Sequence, residues 1–403
     1  MDLLSTPVRR NILFALLYFC EGAPIGFIWW ALPTQLRVAG MPVDKITAIT
    51  SILVIPWAFK FLWAPLVDTF QTRRWTLRSW IMTAQGIMGI ALLPLLFFDL
   101  KTETVLLLPL LLVHTLSAAT QDVSIDALCI GAISDTEFGS INGWMQVGML
   151  LGRSLFGGMT LVVAQAIGES AMLIILIAIL WTVALLMFFL KIPDVHYDLS
   201  QKISDVGTTL KKIVKRPSTW YGLLFAIIGG TAYEGVGAVA GPFFIDRGFS
   251  STEVGFFFSV PSVISMMVGA VAGGWLSDKL GKYRSVVYAL LSVVTVVLSI
   301  SLADSFGMRS LLFPFLSILY LTIGIFTSSS YAMFMEITDP KVGATQFSTF
   351  MGGTNMCESW STYAVGLLVA HFDYAAAFAI IAAVSLASVF LIGKIARKEM
   401  TPA

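Results

Sequence analysis

Gly274-Trp275-Leu276-Ser277-Asp278-Lys279-Leu280-Gly281-Lys282-Tyr283-Arg284 separates two apolar runs, at about 253 to 276 and 284 to 303, each long enough to cross bilayer hydrocarbon at ~20 residues. Its glycines permit a tight turn. The acid and the cations that follow can meet each other and a facing helix end. A short charged turn between two spans is what a polytopic membrane protein shows at a cytoplasmic surface. The rest of the chain agrees, with 57% hydrophobic residues, 12% charged and a mean hydropathy of +0.86. A soluble core cannot absorb that much apolar surface, so the bilayer is the expected solvent.

Working outward from this turn, twelve runs are long enough to span. They lie at about 12 to 38, 45 to 66, 79 to 98, 104 to 131, 138 to 166, 169 to 190, 218 to 241, 253 to 276, 284 to 303, 310 to 333, 343 to 370 and 372 to 393. Arg9 and Arg10 precede the first, which continues past ~20 residues without a small-residue cleavage site and so reads as a spanning helix rather than a removed signal. The longest polar segment, 191–217, carries Lys191, Lys202, Lys211, Lys212, Lys215 and Arg216 and reads as a linker between bundles at 1–190 and 218–403. With twelve spans both termini share a side. Most of the 25 Lys and Arg fall on that side, while Arg37, Lys45, Lys101, Arg247 and Arg309 fall opposite, so the positive-inside rule places both termini in the cytoplasm. A net charge of +1 with scattered cations argues against nucleic acid. Cys20, Cys129 and Cys357 lie in apolar runs without metal-ligand spacing and read as small core residues.

The halves echo each other. Pro33 to Asp68 and Pro242 to Asp278 are nearly equal stretches, each with an Arg and Gly near its start, Arg37 with Gly40 and Arg247 with Gly248. Glu21-Gly22 is matched by Glu234-Gly235, and Asp126 by Glu336. Repeated halves of this kind suit a transporter that rocks two bundles about a central site.

The turn at Gly274 to Arg284 resembles the signature loop of the major facilitator superfamily, Gly-x-x-x-Asp-Arg/Lys-x-Gly-Arg/Lys. The first-half copy, Ala64-Pro65-Leu66-Val67-Asp68 followed by Arg73 and Arg74, keeps the acid and cations but lacks both glycines. The resemblance implies an all-α fold of two pseudo-symmetric six-helix bundles. It also implies a cytoplasmic gate made by Asp68, Arg73, Arg74, Gly274, Asp278, Lys279, Gly281 and Arg284. Phe59-Lys60-Phe61-Leu62-Trp63-Ala64-Pro65-Leu66-Val67-Asp68, Ala119-Thr120-Gln121-Asp122-Val123-Ser124-Ile125-Asp126-Ala127 and Ala344-Thr345-Gln346-Phe347 are similar to motifs of the AmpG muropeptide permease family, whose relatives include acetyl-coenzyme A transporters and siderophore importers. The best-known members have two further C-terminal helices, so twelve spans are closer in size to the siderophore importers.

Asp122 and Asp126 are one turn apart on one face of the fourth span. Two carboxylates so close in low dielectric do not both ionise cheaply, which suits a proton-coupling site. A structural pair with Lys60 or Arg153 is the alternative. Glu21, Glu234 and Glu358 are deep carboxylates in spans 1, 7 and 11, and each is a candidate proton or substrate site. The forked guanidinium of Arg153 suits a carboxylate or phosphate on a substrate, or a permanent pair with Asp122 or Asp126. Lys60 is assigned a structural ion pair. His114, two turns from Asp122, either extends a proton path or simply bonds a neighbour. Trp29, Trp30 and Trp360 share helices with Glu21 and Glu358 and either pack or stack on a ring of the substrate.

Taken together, the expectation is a monomeric, multi-pass protein of the bacterial inner membrane. It needs no cofactor or metal and couples protons to import of a bulky amphipathic solute through a cavity walled by spans 1, 4, 5, 7, 10 and 11. Muropeptide and siderophore stand nearly level as cargo. A non-transporting sensor is the rival from another class, though a scaffold would have little reason to bury so many carboxylates. An enzyme would need a nucleophile with a base, or metal ligands, in one cavity, and no such cluster is visible.

Overall fold

The computed structural model describes residues 4, 6–72, 75–99, 102–132, 138–189, 216–338 and 343–399. Among these residues the chain is helical, with no strands. Eleven helical stretches are long and apolar enough to cross a membrane: α1 (Pro7–Val38), α2 (Val43–Leu62), α3 (Leu77–Leu96), α4 (Thr104–Ile130), α5 (Ser140–Ile167), α6 (Glu169–Phe188), α7 (Pro217–Asp246), α8 (Ser251–Leu280), α9 (Lys282–Ser305), α10 (Arg309–Ile337) and α12 (Tyr374–Arg397). Between the last two lies α11 (Gly343–His371), 29 residues long, whose Asn355, Glu358, serines and threonines lower its hydropathy. Large apolar side chains point outward along these helices, among them Phe97, Val105, Val271 and Phe390, as a lipid-facing surface requires. The linker expected at 191–217 lies outside the described residues except for Arg216 and Pro217, where α7 begins.

Some elements differ from the sequence pattern. The second span ends early, in a tight turn at Lys60–Leu62, and a short helix Ala64–Thr69 follows, because Pro65 has no N–H to continue the earlier ladder and suits the first turn of a new helix. α8 breaks at Val260, ahead of Pro261, into Ser251–Ser259 and Pro261–Leu280. At the end of α8, Gly281 takes a positive φ of 85°, which turns the chain directly into α9. Gly40 (φ 85°) and Gly248 (φ 79°), the paired glycines of the sequence repeat, share that conformation.

The chain forms two compact units. The first holds α1, the segment 62–197 with α3 to α6, and the opening stretch of α8 to Ser259. Its α1 and α5 cross backbone to backbone. A Cβ at Gly22 would lie 2.1 Å from the Met149 carbonyl oxygen, and one at Gly148 would lie 2.0 Å from that of Ala15. Without a hydrophobic driving force between helices in lipid, such close packing is what holds them. Beyond the crossing both helices widen into π turns, Phe27–Ala31 in α1 and Ser154–Met159 in α5. π turns interrupt the regular ladder and are frequent at functional positions. The opening stretch of α8 rests on the α5 π turn. There the Ser154 hydroxyl donates to the Ser259 carbonyl at 2.7 Å, and Trp30 of α1 stacks on Phe258 with ring centroids 5.1 Å apart. Trp30 is thus committed to packing.

The second unit holds α2, α7, the remainder of α8 and α9 to α12. α8 and α10 repeat the close crossing of α1 and α5, with Gly269 and Gly273 set against the backbone of Leu321 and Ile325. α2 packs on α11, where the Asn355 amide donates to the Trp57 carbonyl at 3.2 Å and the Ser359 hydroxyl to the Ser51 carbonyl at 2.9 Å. Gln346, from the Ala-Thr-Gln-Phe motif, ties the start of α11 to Thr219 of α7 and to the Ile337 carbonyl of α10. Trp360 donates to the Ile227 carbonyl at 2.8 Å and so also serves packing.

Gly22→Ala and Gly148→Ala are each expected to destabilise the protein by about 1–3 kcal/mol, the ordinary cost of overpacking, whereas Gly143→Ala in the same helix, where a Cβ would meet nothing within 4 Å, is expected to leave stability unchanged or slightly improved. Thermal unfolding of the purified protein in detergent reads the difference.

Candidate functional site

In the first unit α1 and α4 bring together acidic side chains that the sequence placed far apart. Tyr18 sits three residues before Glu21, on the same side of α1. Its hydroxyl donates to Asp126 Oδ1 of α4 at 2.6 Å. Asp126, Asp122 and Glu21 all lie within electrostatic reach of this phenol. Glu21 is only 2% exposed, Asp122 6% and Tyr18 8%, while Asp126 is half-buried. The expected one-face pairing of Asp122 and Asp126 is therefore completed by a tyrosine that the sequence reading had passed over. Its signal was the Tyr-x-x-Glu spacing on an otherwise apolar helix.

Arg153 is the last α-helical residue of α5 before its π turn, and its backbone abuts Gly26 of α1. The guanidinium Nε is buried and has no hydrogen-bond partner among the described residues, so the permanent pair with Asp122 or Asp126 is not formed through that nitrogen. It retains donor capacity for a carboxylate or phosphate.

The second unit carries a related group. The Tyr233 hydroxyl of α7 donates to the neighbouring Glu234, with Tyr331 of α10 and Cys357 of α11 within electrostatic reach. Cys357 in turn lies near Glu358 and 3.8 Å from the Thr231 hydroxyl. Glu234 and Glu358 are both half-buried. The three cysteines are all buried and unbridged. Among the described residues no His, Cys, Asp or Glu cluster could hold a metal.

The gate residues are only partly visible. Arg73 and Arg74 lie outside the described residues, and Asp68 lies on the short helix Ala64–Thr69 with its side chain outside them. Gly274 is helical, Asp278 and Arg284 are exposed, and the Lys279 ammonium rests 4.7 Å from the Trp275 ring centroid. Lys282 pairs with Glu336. The sequence echo between Asp126 and Glu336 therefore does not extend to their surroundings, since Glu336 is a surface partner of a lysine. Lys60 is half-buried where α2 ends, in the second unit.

At the far end of α7, Arg247 and Asp304 form a two-pronged pair that the sequence reading also missed, with Nη2 donating to Oδ2 at 2.6 Å. The hydrogen bonds that Arg247 donates to the Asp304 carboxylate raise its guanidinium further above its ordinary value, against the opposing effect of burial. It stays charged at every working pH.

The sequence profile of the Major Facilitator Superfamily matches residues 14–366. The anhydromuropeptide permease of Escherichia coli K12 is 24% identical over 351 residues, covering 84% of this chain and 70% of the relative. A protein designated transporter AmpG 4 from Rickettsia felis is 22% identical over 386 residues, covering 92% and 93%. Among solved structures, a D-xylose-proton symporter is similar with a TM-score of 0.77 at 10% identity, covering 97% of this chain and 98% of that one.

Two substitutions test the bonds that organise these groups. Tyr18→Phe removes a hydrogen bond to a carboxylate and is expected to cost about 1.5–3 kcal/mol. Asp304→Asn leaves a one-third-exposed guanidinium without its counter-charge, and we expect a loss of about 2 kcal/mol, below the range for a fully buried pair. Denaturant-resolved unfolding measures both.

Proposed function

The chain belongs to the Major Facilitator Superfamily, a family of membrane transporters, and from that premise we propose that it imports anhydro-muropeptides by proton-coupled alternating access. It is an AmpG-like, multi-pass protein of the bacterial inner membrane. In the proposed topology α11 also crosses the bilayer, which brings the spans to twelve, and both termini are cytoplasmic. The sequence halves 1–190 and 218–403 are the two bundles, joined by the linker 191–217, and the working form is a monomer.

The observation that carries the coupling reading is the Tyr18 hydroxyl bonded to Asp126, with Asp122 and Glu21 buried beside it. Several carboxylates grouped around one phenol in a low-dielectric bundle do not all ionise together. A group that holds a proton in one state and loses it in another is what coupling requires. Asp122 and Asp126 are the proposed proton carriers, and Tyr18 fixes the position of Asp126. Glu21, Glu234 and Glu358 are further proton or substrate contacts. Arg153, with an unspent buried donor, is the proposed partner for a carboxylate of the cargo. Asp68, Arg73, Arg74, Gly274, Asp278, Lys279, Gly281 and Arg284 form the proposed cytoplasmic gate, with Lys60 in a structural pair.

Muropeptide is preferred to siderophore because the Escherichia coli relative is an anhydromuropeptide permease. Its sugar hydroxyls and peptide amides also suit the acids and Tyr18 of the first unit, and a cargo carboxylate suits Arg153. The proposal is tested in proteoliposomes with an imposed pH gradient, offered a labelled anhydro-muropeptide and a ferric siderophore in parallel. Gradient-dependent accumulation of the muropeptide, abolished in Asp122→Asn, is the expected result. Accumulation of the siderophore instead would reassign the cargo, and accumulation of neither would favour a sensor.

A further inference from the structure

Where α1, α3 and α5 finish and α6 begins, the helices of the first unit part around a cavity of about 640 Å³. In the topology proposed above this is the periplasmic end. The volume falls within the ~300–1,000 Å³ of pockets that hold one small molecule. Phe27 opens the α1 π turn and Thr160 directly follows that of α5, and both line the cavity, which therefore backs onto the two interruptions of regular helix. Gly168, at a positive φ of 89°, turns α5 into α6 and sets Glu169 at the same wall. Tyr18, Glu21, Asp122, Asp126 and Arg153 are not among the lining residues, so the cavity is separate from the site described above.

The lining divides by chemistry. Leu36 of α1, Leu95 of α3, Leu161 of α5 and Leu173 of α6 supply an apolar wall from four helices. The polar groups are rich in acceptors. Asp99 and Glu169 are exposed and bring two carboxylates. Thr160 is only 2% exposed and its hydroxyl donates to the Leu155 carbonyl at 3.4 Å, which leaves its oxygen as an acceptor. Among the described residues that line the cavity there is no Lys, Arg or His. Arg37 lies between two of them, Leu36 and Val38, and its Nη1 donates to the Met41 carbonyl at 3.0 Å. Two acids without a lining cation repel an anionic head and attract a positive one, and most strongly where an apolar wall limits screening by water.

We propose that this cavity binds a cationic amphiphile, with its ammonium head at Asp99 and Glu169 and its apolar body against the leucines of α1, α3, α5 and α6. This ligand is opposite in charge to the carboxylate-bearing cargo assigned to Arg153. The site therefore stands whether or not that cargo is correct.

The test is photolabelling of the full-length protein in nanodiscs of a zwitterionic lipid. Two probes share a dodecyl chain bearing a diazirine, one with a trimethylammonium head and one with a sulfate head. Labels are mapped by peptide mass spectrometry. Labelling of the wall from Leu95 to Phe98 and from Leu161 to Leu173 is divided by that at the lipid-facing Val271 and Phe390, so that unequal partitioning of the probes into the bilayer cancels. The ammonium probe is expected to give a ratio about fivefold above that of the sulfate probe, the scale of exposed ion pairs. Asp99→Asn combined with Glu169→Gln is expected to erase the difference, and Ala164→Phe, which fills the cavity, to bring both ratios down to the lipid-facing level. The head-group comparison is made on wild type, so no variant's folding decides it. Equal ratios for the two heads in wild type, or labelling of the wall no greater than at Val271 and Phe390, overturns the proposal. Persistence of the ammonium excess in the double variant does the same.

Discussion

Inside a bilayer no solvent compensates a polar group, so each carboxylate, amide and hydroxyl within the helices must be answered from within the protein. That constraint accounts for most of the side-chain arrangement. Serines and threonines along the helices return their hydroxyls to the carbonyl one turn back, as Thr34, Ser117, Ser124 and Ser277 do. Others reach across, Ser385 to the Gly229 carbonyl and Ser301 to that of Ala375. What cannot be satisfied so cheaply collects in a few places: Tyr18 with Asp126, Asp122 and Glu21, and Tyr233 with Glu234. Their persistence at membrane depth is the physical reason to look for function there.

Close helix crossings make these groupings possible. Gly22, Gly26, Gly148 and Gly152 let α1 and α5 touch along their backbones, which also fixes the level of Glu21 and Arg153 against each other. Above that crossing the two π turns, and the break in α8 at Val260 that rests on one of them, interrupt regular helix at neighbouring points of the first unit. The second unit uses the same device between α8 and α10 but without π turns among its described helices. The halves are related in pattern and not in detail.

Much of this was legible in the sequence because hydropathy and charge act over long stretches. Apolar runs marked the eleven stretches long and apolar enough to cross a membrane, the four-residue spacing put Asp122 and Asp126 on a common face, and Gly281 marked the turn between α8 and α9. α11 was read as a span from its length, although its polar content is what separates it from the other helices. Tyr18 was missed because an aromatic residue in an apolar run looks like core until its hydroxyl is located. The π turns leave no compositional trace. The packing of α2 on α11, and of the opening of α8 on α5, depends on hydrogen bonds such as Asn355 to the Trp57 carbonyl that only tertiary structure reveals. Trp30 and Trp360 were open to a role in stacking on cargo, and the structure commits both to protein partners instead.

In the proposed cycle, carboxylates of α1 and α4 exchange protons when cargo binds. The most direct measurement counts protons taken up or released by the purified protein in unbuffered solution when anhydro-muropeptide is added, using a pH dye. Wild type is expected to show a proton change that disappears in Asp122→Asn combined with Asp126→Asn while cargo still binds. Binding with no proton change in wild type would contradict the cycle.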